Sequence, residues 1–277
     1  MSVAIGAIIA KHKIRNFIVF GIVLVVFLAF AVPYVYIHFI EGPPPAKLSL
    51  PPASTTKTTT GSSATSVSGS FNVGKGSVVG YRVSEVLIGQ NSTAVGRTSK
   101  VWGSIDVSGT NITKATFSAN MASVVSDQSQ RNAQFDGRIM DVSQYPTATF
   151  TLTSPIKLGS LPAQGTVTKA SATGELTMHG ATKPVTFTVS VERTASGLSA
   201  LAEIPIKFST WNISNPSIGG FVTTADNGTL EVLLSVTSAK GNSPSSGAAS
   251  SGGGGGGGGT PITVPSTTVP GLKLPSS

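Results

Sequence analysis

Cysteine is absent from this sequence, and charged and aromatic residues are scarce. Without a thiol the chain can form no disulfide, no cysteine nucleophile, no thiolate zinc site and no iron–sulfur cluster. Charged residues make up 11% of the chain, hydrophobic residues make up 39%, and 32 residues are glycine. This composition excludes both a disordered, highly charged chain and a helical bundle rich in Glu, Lys and Leu.

Histidine occurs only three times. His12 and His38 lie near the two ends of a hydrophobic segment, and only His179 lies where the chain can form a core, in a turn where we expect it to be solvated. Neither a Ser/His/Asp triad nor a three-histidine metal site can form there. Most carboxylates fall on the polar side of predicted strands, where we expect solvated surface rather than an acid/base pair: Glu85, Asp106, Glu175, Glu192, Glu203 and Glu231. We therefore expect no enzymatic activity and no metal or catalytic cofactor.

The formal net charge is +8, but little of it lies in the core-forming region. Residues 71–240 hold 13 Lys and Arg against 10 Asp and Glu, a net of +3. These charges are dispersed and lack the basic clusters, interleaved with aromatic residues, that bind nucleic acids. We expect no nucleic-acid partner.

Residues 17–40 contain no Asp, Glu, Lys or Arg. At 1.5 Å per residue a helix of this length reaches about 36 Å, enough to cross the ~30 Å hydrocarbon layer of a membrane. Lys11, Lys13 and Arg15 make the flank 1–16 basic, and the positive-inside rule then predicts a cytoplasmic N-terminus. The sequence thus predicts a single-pass membrane protein whose remaining domains lie on the extracytoplasmic side.

A cleaved signal peptide is the alternative to this signal-anchor. Ala29-Phe30-Ala31 has the small-x-small form of a cleavage site after a hydrophobic run of suitable length. The run continues through Ile37 with Tyr34 and Tyr36, which favours an uncut anchor with interfacial tyrosines. On either interpretation the body of the chain is exported.

Two segments are too polar or too rich in Pro and Gly to form a core. Residues 41–70 are rich in Pro, Ser and Thr and predict an extended, solvated linker. Residues 241–277 include eight consecutive glycines and predict a disordered tail. Between them, residues 71–240 are long enough for one well-buried domain.

Apolar and polar residues alternate without a break in 147–153 and 185–191, and an inward apolar series continues in Leu230, Val232, Leu234 and Val236. Period two with one apolar face is typical of antiparallel strands, and turn signals separate about eight of them. Around residues 126–132 the alternation stops, which predicts one short helix. The pattern leaves two all-β architectures, a closed barrel or a sandwich, and an eight-stranded barrel is either filled by side chains or holds one ligand.

Several motifs resemble the YceI-like family over about residues 71–239. They are Val79-Gly80-Tyr81-Arg82-Val83, Ser126-Asp127 with Arg131-Asn132 before Phe135, Tyr145-Pro146-Thr147-Ala148-Thr149-Phe150, and Gly174-Glu175-Leu176-Thr177-Met178-His179-Gly180-Ala181-Thr182-Lys183-Pro184-Val185. The sequence departs from the family at Asn132, where an Asp is usual, and at residues 207–211, which replace an Arg-x-x-Phe-Gly-like segment. These departures concern polar contacts at the mouth of the barrel.

The resemblance implies a lipocalin-like antiparallel β-barrel that binds an amphiphilic polyisoprenoid, such as a polyprenyl or quinone-type lipid, in an elongated apolar cavity. Together with the predicted membrane helix, the resemblance implies a non-enzymatic, membrane-tethered lipid-binding protein of the bacterial cell envelope. We predict a lining of eight side chains: Phe117, Met121, Phe150, Leu152, Met178, Phe187, Ile206 and Phe208. The alternative is an adhesion or scaffold module with a solidly packed barrel, and a hydrolase on the same fold ranks third.

Overall fold

The computed structural model describes residues 2–35, 43–51, 68–126, 128–195 and 197–239. The chain divides into two units, Met1–Ala239 and Lys240–Ser277, and the second lies outside the described residues. Helix α1 spans Ser2–Val35, and its segment Arg15–Val35 is long and apolar enough to cross a membrane. Residues 36–40 of the predicted span, most of the linker and the predicted tail lie outside the described residues.

Within the described residues, thirteen strands form one continuous sheet. They are β1 (Gly69–Val73), β2 (Val78–Leu87), β3 (Gln90–Thr98), β4 (Val101–Ser108), β5 (Asn111–Asn120), β6 (Val125–Ser126), β7 (Thr147–Ser154), β8 (Ile156–Lys157), β9 (Val167–Met178), β10 (Ala181–Arg193), β11 (Gly197–Ile206), β12 (Val222–Thr224) and β13 (Gly228–Ser238). Each long strand places alternate side chains on opposite faces of the sheet, as its period-two sequence predicts.

The sheet closes into a barrel with eight positions around its wall. β1 and β2 follow one another along the same side of β13, and β3 and β4 together form the next position. The ring continues through β5, β7, β9, β10 and β11, and β11 returns to β13. All these pairings are antiparallel, so the predicted eight-stranded antiparallel barrel is confirmed.

The predicted short helix is also confirmed. Helix α2 spans Ser129–Gln134 and is followed by one π-helical turn, Phe135–Ile139. The apolar alternation of β5 and β11 continues in sequence to Met121 and Phe208, but neither residue belongs to the strand. Each begins a 3-10 turn, Met121–Ser123 or Phe208–Trp211, and their side chains are nevertheless buried.

The two ends of the barrel differ in how their interior is filled. We call the end with the β2–β3 hairpin and α2 the open half, and the end with the β4–β5 hairpin at Gly109 the packed half. Inward side chains of the packed half fill its interior and are almost completely buried: Ile105, Val107, Ile112, Val191, Leu198 and Val236. The open half contains a cavity.

Candidate functional site

The cavity in the open half has a volume of about 510 Å³. It falls within the range of 300–1,000 Å³ that is typical of small-molecule sites. Inward side chains from β2, β5, β7, β9, β11 and β13 form its wall, and most of them are apolar. Gln130, Gln134 and Arg138 line it at the end where α2 lies and are themselves exposed to solvent, so the cavity opens there.

Six of the eight predicted lining residues lie on the cavity wall: Phe117, Met121, Phe150, Met178, Ile206 and Phe208. Leu152 and Phe187 do not line it and instead pack, half-buried, against the core. Leu152 is two residues beyond Phe150 along β7, towards the packed half. Alternation identifies the face of the sheet on which a side chain lies but not its height in the barrel.

Three aromatic rings pack together where the cavity adjoins the packed half. The ring centroids of Phe117 and Phe150 lie 5.3 Å apart, and Phe187 contacts Phe150 edge-on at 5.4 Å. Gly174, opposite on β9, makes room for this arrangement, since a Cβ atom there would lie 2.4 Å from the Phe150 ring. The rings therefore lie against the wall and leave the centre of the open half empty.

Tyr81 and Phe135 belong to the cavity although neither was among the eight predicted residues. Their rings stack at a centroid distance of 5.2 Å, and both line the cavity. Tyr81 lies over Gly96, where a Cβ atom would approach its ring to 2.4 Å. A usable signal was present for Tyr81, because it has the same inward phase on β2 as Val79 and Val83. Phe135 follows α2, where no alternation identifies the inward side.

Polar groups are gathered at the mouth of the cavity. Arg131 on α2 forms an ion pair with Glu85 on β2, and both side chains line the cavity. The prediction that Glu85 is solvated surface is wrong, because it lies on the inward side of β2 with Val83 and Leu87. Asn132, the departure from the family motif, accepts a hydrogen bond at Oδ1 from the Ser126 amide at 2.7 Å. That contact fixes the start of α2.

Glu231 and Glu192 also differ from the predicted solvated surface, since both are buried. Glu231 lies on the outward side of β13 yet is only 1% exposed. Its carboxylate accepts hydrogen bonds from Arg82 Nε and an Arg97 Nη atom, each at 2.7 Å. The alternation of the sequence correctly predicts that Glu231 lies on the outer face of the sheet. It does not show that other parts of the protein cover this side chain.

Part of that cover is residues 43–51, which we call the docked segment. Arg82 and Arg97 each donate a further hydrogen bond to it, to the carbonyl oxygens of Pro45 and Ala46. Lys47 pairs with Glu203 on β11 at 3.0 Å. This part of the predicted solvated linker is therefore bonded to the outer wall of the open half.

His179 lies in the β9–β10 turn as predicted, but it is half-buried rather than solvated. Its Nδ1 atom is 3.1 Å from the carbonyl oxygen of Trp211, and its ring is 4.8 Å from that of Tyr145. These contacts join the turn to the loops of the open half. Within the described ranges, no group of three or more His, Asp or Glu side chains could hold a metal ion.

Comparisons with known proteins agree with this geometry at the level of the family. The model of the YceI-like domain matches residues 53–236. BcnA of Burkholderia cenocepacia is 26% identical, with a TM-score of 0.44 over 57% of this chain and 96% of its own. No curated protein matches the chain.

Two further solved structures show lower identity. A polyisoprenoid binding domain from Saccharophagus degradans, described as implicated in plant cell wall breakdown, is 14% identical, with a TM-score of 0.49 over 62% of this chain and 99% of its own. The YceI protein of Campylobacter jejuni is 19% identical, with a TM-score of 0.43 over 53% and 85%. Because the family model matches well over half of the sequence, this chain belongs to the YceI-like domain family.

Proposed function

We propose that this protein binds an amphiphilic isoprenoid or a related lipid in the cavity of its barrel. One observation carries the proposal, which is the segregation of the cavity lining. The inward side chains of the wall are mostly apolar, whereas Glu85, Arg131 and Arg138 lie at the mouth. This arrangement matches a molecule with a hydrocarbon tail and a polar head, and the relative from Saccharophagus degradans is itself described as a polyisoprenoid binding domain.

Affinity would come mainly from the tail. Removing each methylene-sized group from water is favourable by about 0.8 kcal/mol, whereas a single hydrogen bond to the head group contributes about 1 kcal/mol net. Met121 and Met178 add a flexible, polarisable surface that adapts to tails of different shape. The affinity of the site should therefore rise with the length of the hydrocarbon tail and depend only modestly on the head group.

The head group would lie beside Arg131 and Glu85. Their ion pair offers donors and acceptors at the cavity mouth, and Gln128 and Gln130 line the same region. Such a set accepts a hydroxyl, a quinone carbonyl or an anionic head, because it contains both a cation and neutral amides.

We also propose that α1 anchors the protein in a membrane with the barrel on the extracytoplasmic side. The apolar stretch and its basic N-terminal flank support this orientation. Secretion after cleavage at Ala31 is the alternative, and the mass of the mature N-terminus distinguishes the two.

Native mass spectrometry of the full-length chain, released from a mild detergent, tests the binding proposal. We expect a lipid adduct, or uptake of added polyprenol or quinone at one molecule per chain. A chain that carries no lipid and takes up neither compound would contradict the proposal. The alternative scaffold function requires a solidly packed barrel, and the cavity of about 510 Å³ does not support it.

A further inference from the structure

Four large hydrophobic side chains are exposed together beside the cavity mouth. They are Val86, Ile88, Ile218 and Phe221, and we call them the rim. Phe221 is 65% exposed and Ile88 is 46% exposed. Backbone hydrogen bonds hold the rim together, since the Ile88 amide donates to the Phe221 carbonyl at 2.8 Å and the Ile218 amide donates to the Val222 carbonyl at 2.9 Å.

The rim is continuous with the cavity. Leu87 and Val222 are paired between β2 and β12, and both line the cavity. Ile218 belongs to the rim and to the lining at once. A hydrocarbon tail that leaves the cavity at this side therefore meets apolar side chains before it meets water.

Ile88 is an unfavourable residue for the backbone conformation of its turn. It forms a two-residue β-hairpin turn with Gly89, and the two residues have φ of +47° and +77°. Turns with two positive φ values favour Asn-Gly or Asp-Gly, and a β-branched residue there is an outlier. Ile88 thus combines backbone strain with an exposed apolar side chain, a combination that tends to persist where it serves a function.

The opposite end of the barrel has no comparable surface among the described residues. Val167 is the exposed large hydrophobic residue there, and Trp102 lies on the outer wall. The exposed apolar surface is therefore concentrated at the end of the barrel where the cavity opens.

A membrane lies within reach of the rim if α1 is inserted in one. The described part of helix α1 reaches Val35 and the docked segment begins at residue 43, so the eight Cα–Cα steps between them span at most about 28 Å. The docked segment is bonded to Arg82, and β2 runs from there to Leu87 over about 17 Å. Arg138 is exposed beside the rim, with its guanidinium bonded to the carbonyls of Asn215 and Pro216. Its charge is complementary to anionic lipid head groups.

We propose that the rim inserts into the bilayer that holds α1, so that lipid passes between bilayer and cavity without crossing water. The inference rests on the proposed lipid binding for its cargo and on the anchor for the membrane that it contacts. Insertion of the rim can be measured without any cargo, and the two proposals can therefore fail separately.

The absence of cysteine allows a unique label at any position. We would label Phe221→Cys with an environment-sensitive fluorophore in the full-length chain, reconstituted in phosphatidylcholine/phosphatidylglycerol vesicles. The matched control is Val167→Cys at the opposite end, and circular dichroism checks that both variants are folded. We expect a blue-shifted emission and quenching by nitroxide-labelled lipid at 221, and quenching by aqueous iodide at 167.

Equal access of iodide to both positions, without quenching by nitroxide lipid at 221, would overturn the proposal. Shielding of 221 that appears in detergent, without vesicles, and grows with protein concentration would identify a second copy as the occupant and would also overturn it. Lipid binding is read separately, from native mass spectra in detergent.

Ile88→Asn provides a second test, because Asn suits the turn and Ile88 does not line the cavity. We expect unfolding at an equal or higher temperature, unchanged lipid capacity in detergent, and transfer of lipid from vesicles at least several-fold slower. Transfer at the original rate would contradict a role for the rim.

Discussion

The two halves of the barrel share the same strands and the same alternation, yet one is solid and the other is hollow. In the packed half, Val191, Leu198 and Val236 point to the barrel axis and are almost wholly buried. In the open half, Tyr81 and Phe150 lie against the wall over glycines of the neighbouring strands. A barrel of eight strands can thus combine a stabilising core with a binding site, because glycine positions decide where aromatic rings lie.

The open half lacks interior packing and gains contacts on its outside. The docked segment bonds Arg82 and Arg97, and these side chains converge on Glu231. Glu231 and the backbone around Gly80 border the cavity wall from which these contacts extend. The strands of the packed half are therefore stabilised by side chains inside the barrel, whereas those of the open half are stabilised by contacts on the outer wall.

The largest expected difference between the two halves is in the stability lost when a buried side chain is shortened to alanine. Leu198→Ala should lower the free energy of unfolding by about 3–5 kcal/mol, because it opens a void in a packed interior. Ile206→Ala should cost about 1–2 kcal/mol, because that side chain already borders a cavity and buries less against neighbours. Urea unfolding of both variants measures the difference. Equal losses would show that the two halves are packed alike.

The second prediction concerns the outer support of the open half. Glu231→Gln should lower the free energy of unfolding by about 2–4 kcal/mol, since it leaves two largely buried guanidinium groups without their anion. Lys47→Ala is the matched control and should cost less than about 1 kcal/mol, because its partner Glu203 is exposed. Hydrogen exchange should rise in β2, β3 and β13 beside the cavity. A rise confined to the packed half would contradict this account.

Filling the interior should have opposite consequences in the two halves. Ala172→Leu, in the packed half, should lower the free energy of unfolding by about 1–3 kcal/mol through overpacking. Ala119→Leu, on the cavity wall, should change the free energy of unfolding by less than about 1 kcal/mol, since the new side chain enters empty space. It should instead reduce lipid occupancy in native mass spectra. Retained lipid in a folded Ala119→Leu protein would count against the cavity as the site.

The smallest effect concerns a loop of the open half and depends on pH. The Ser209 hydroxyl donates to Asp226, and this hydrogen bond holds the pKa of that carboxyl below its ordinary value of 3.8. The carboxylate therefore stabilises the fold above pH 3.8, and this contribution is lost as the pH falls through the lowered pKa. Asp226→Asn should be slightly less stable than the parent at neutral pH and equal to it in acid. A constant difference across the titration would exclude this cause.

Alternation predicted an all-β domain, the short helix and the inward face of most strands, because these follow from local period two and its interruption. The resemblance to the YceI-like family was needed to favour a barrel over a sandwich. Alternation could not distinguish Phe150 from Phe187, which share an inward phase but lie at different heights. Nor could it show that Glu231 is buried while Glu175 is exposed, since both are outward residues. The cover over Glu231 comes from a segment about 185 positions earlier in the sequence.

The docked segment also limits how far the barrel can travel. Of the thirty or more residues between α1 and β1, only residues 36–44 separate Val35 of α1 from Pro45, the first residue bonded to the barrel. If α1 is inserted in a membrane, this short connection keeps the barrel within a few nanometres of the membrane surface. The effective concentration of the barrel at that surface is then about millimolar. The barrel would then stay at the membrane with its bound lipid, and any protein or membrane that receives the lipid would have to approach it there.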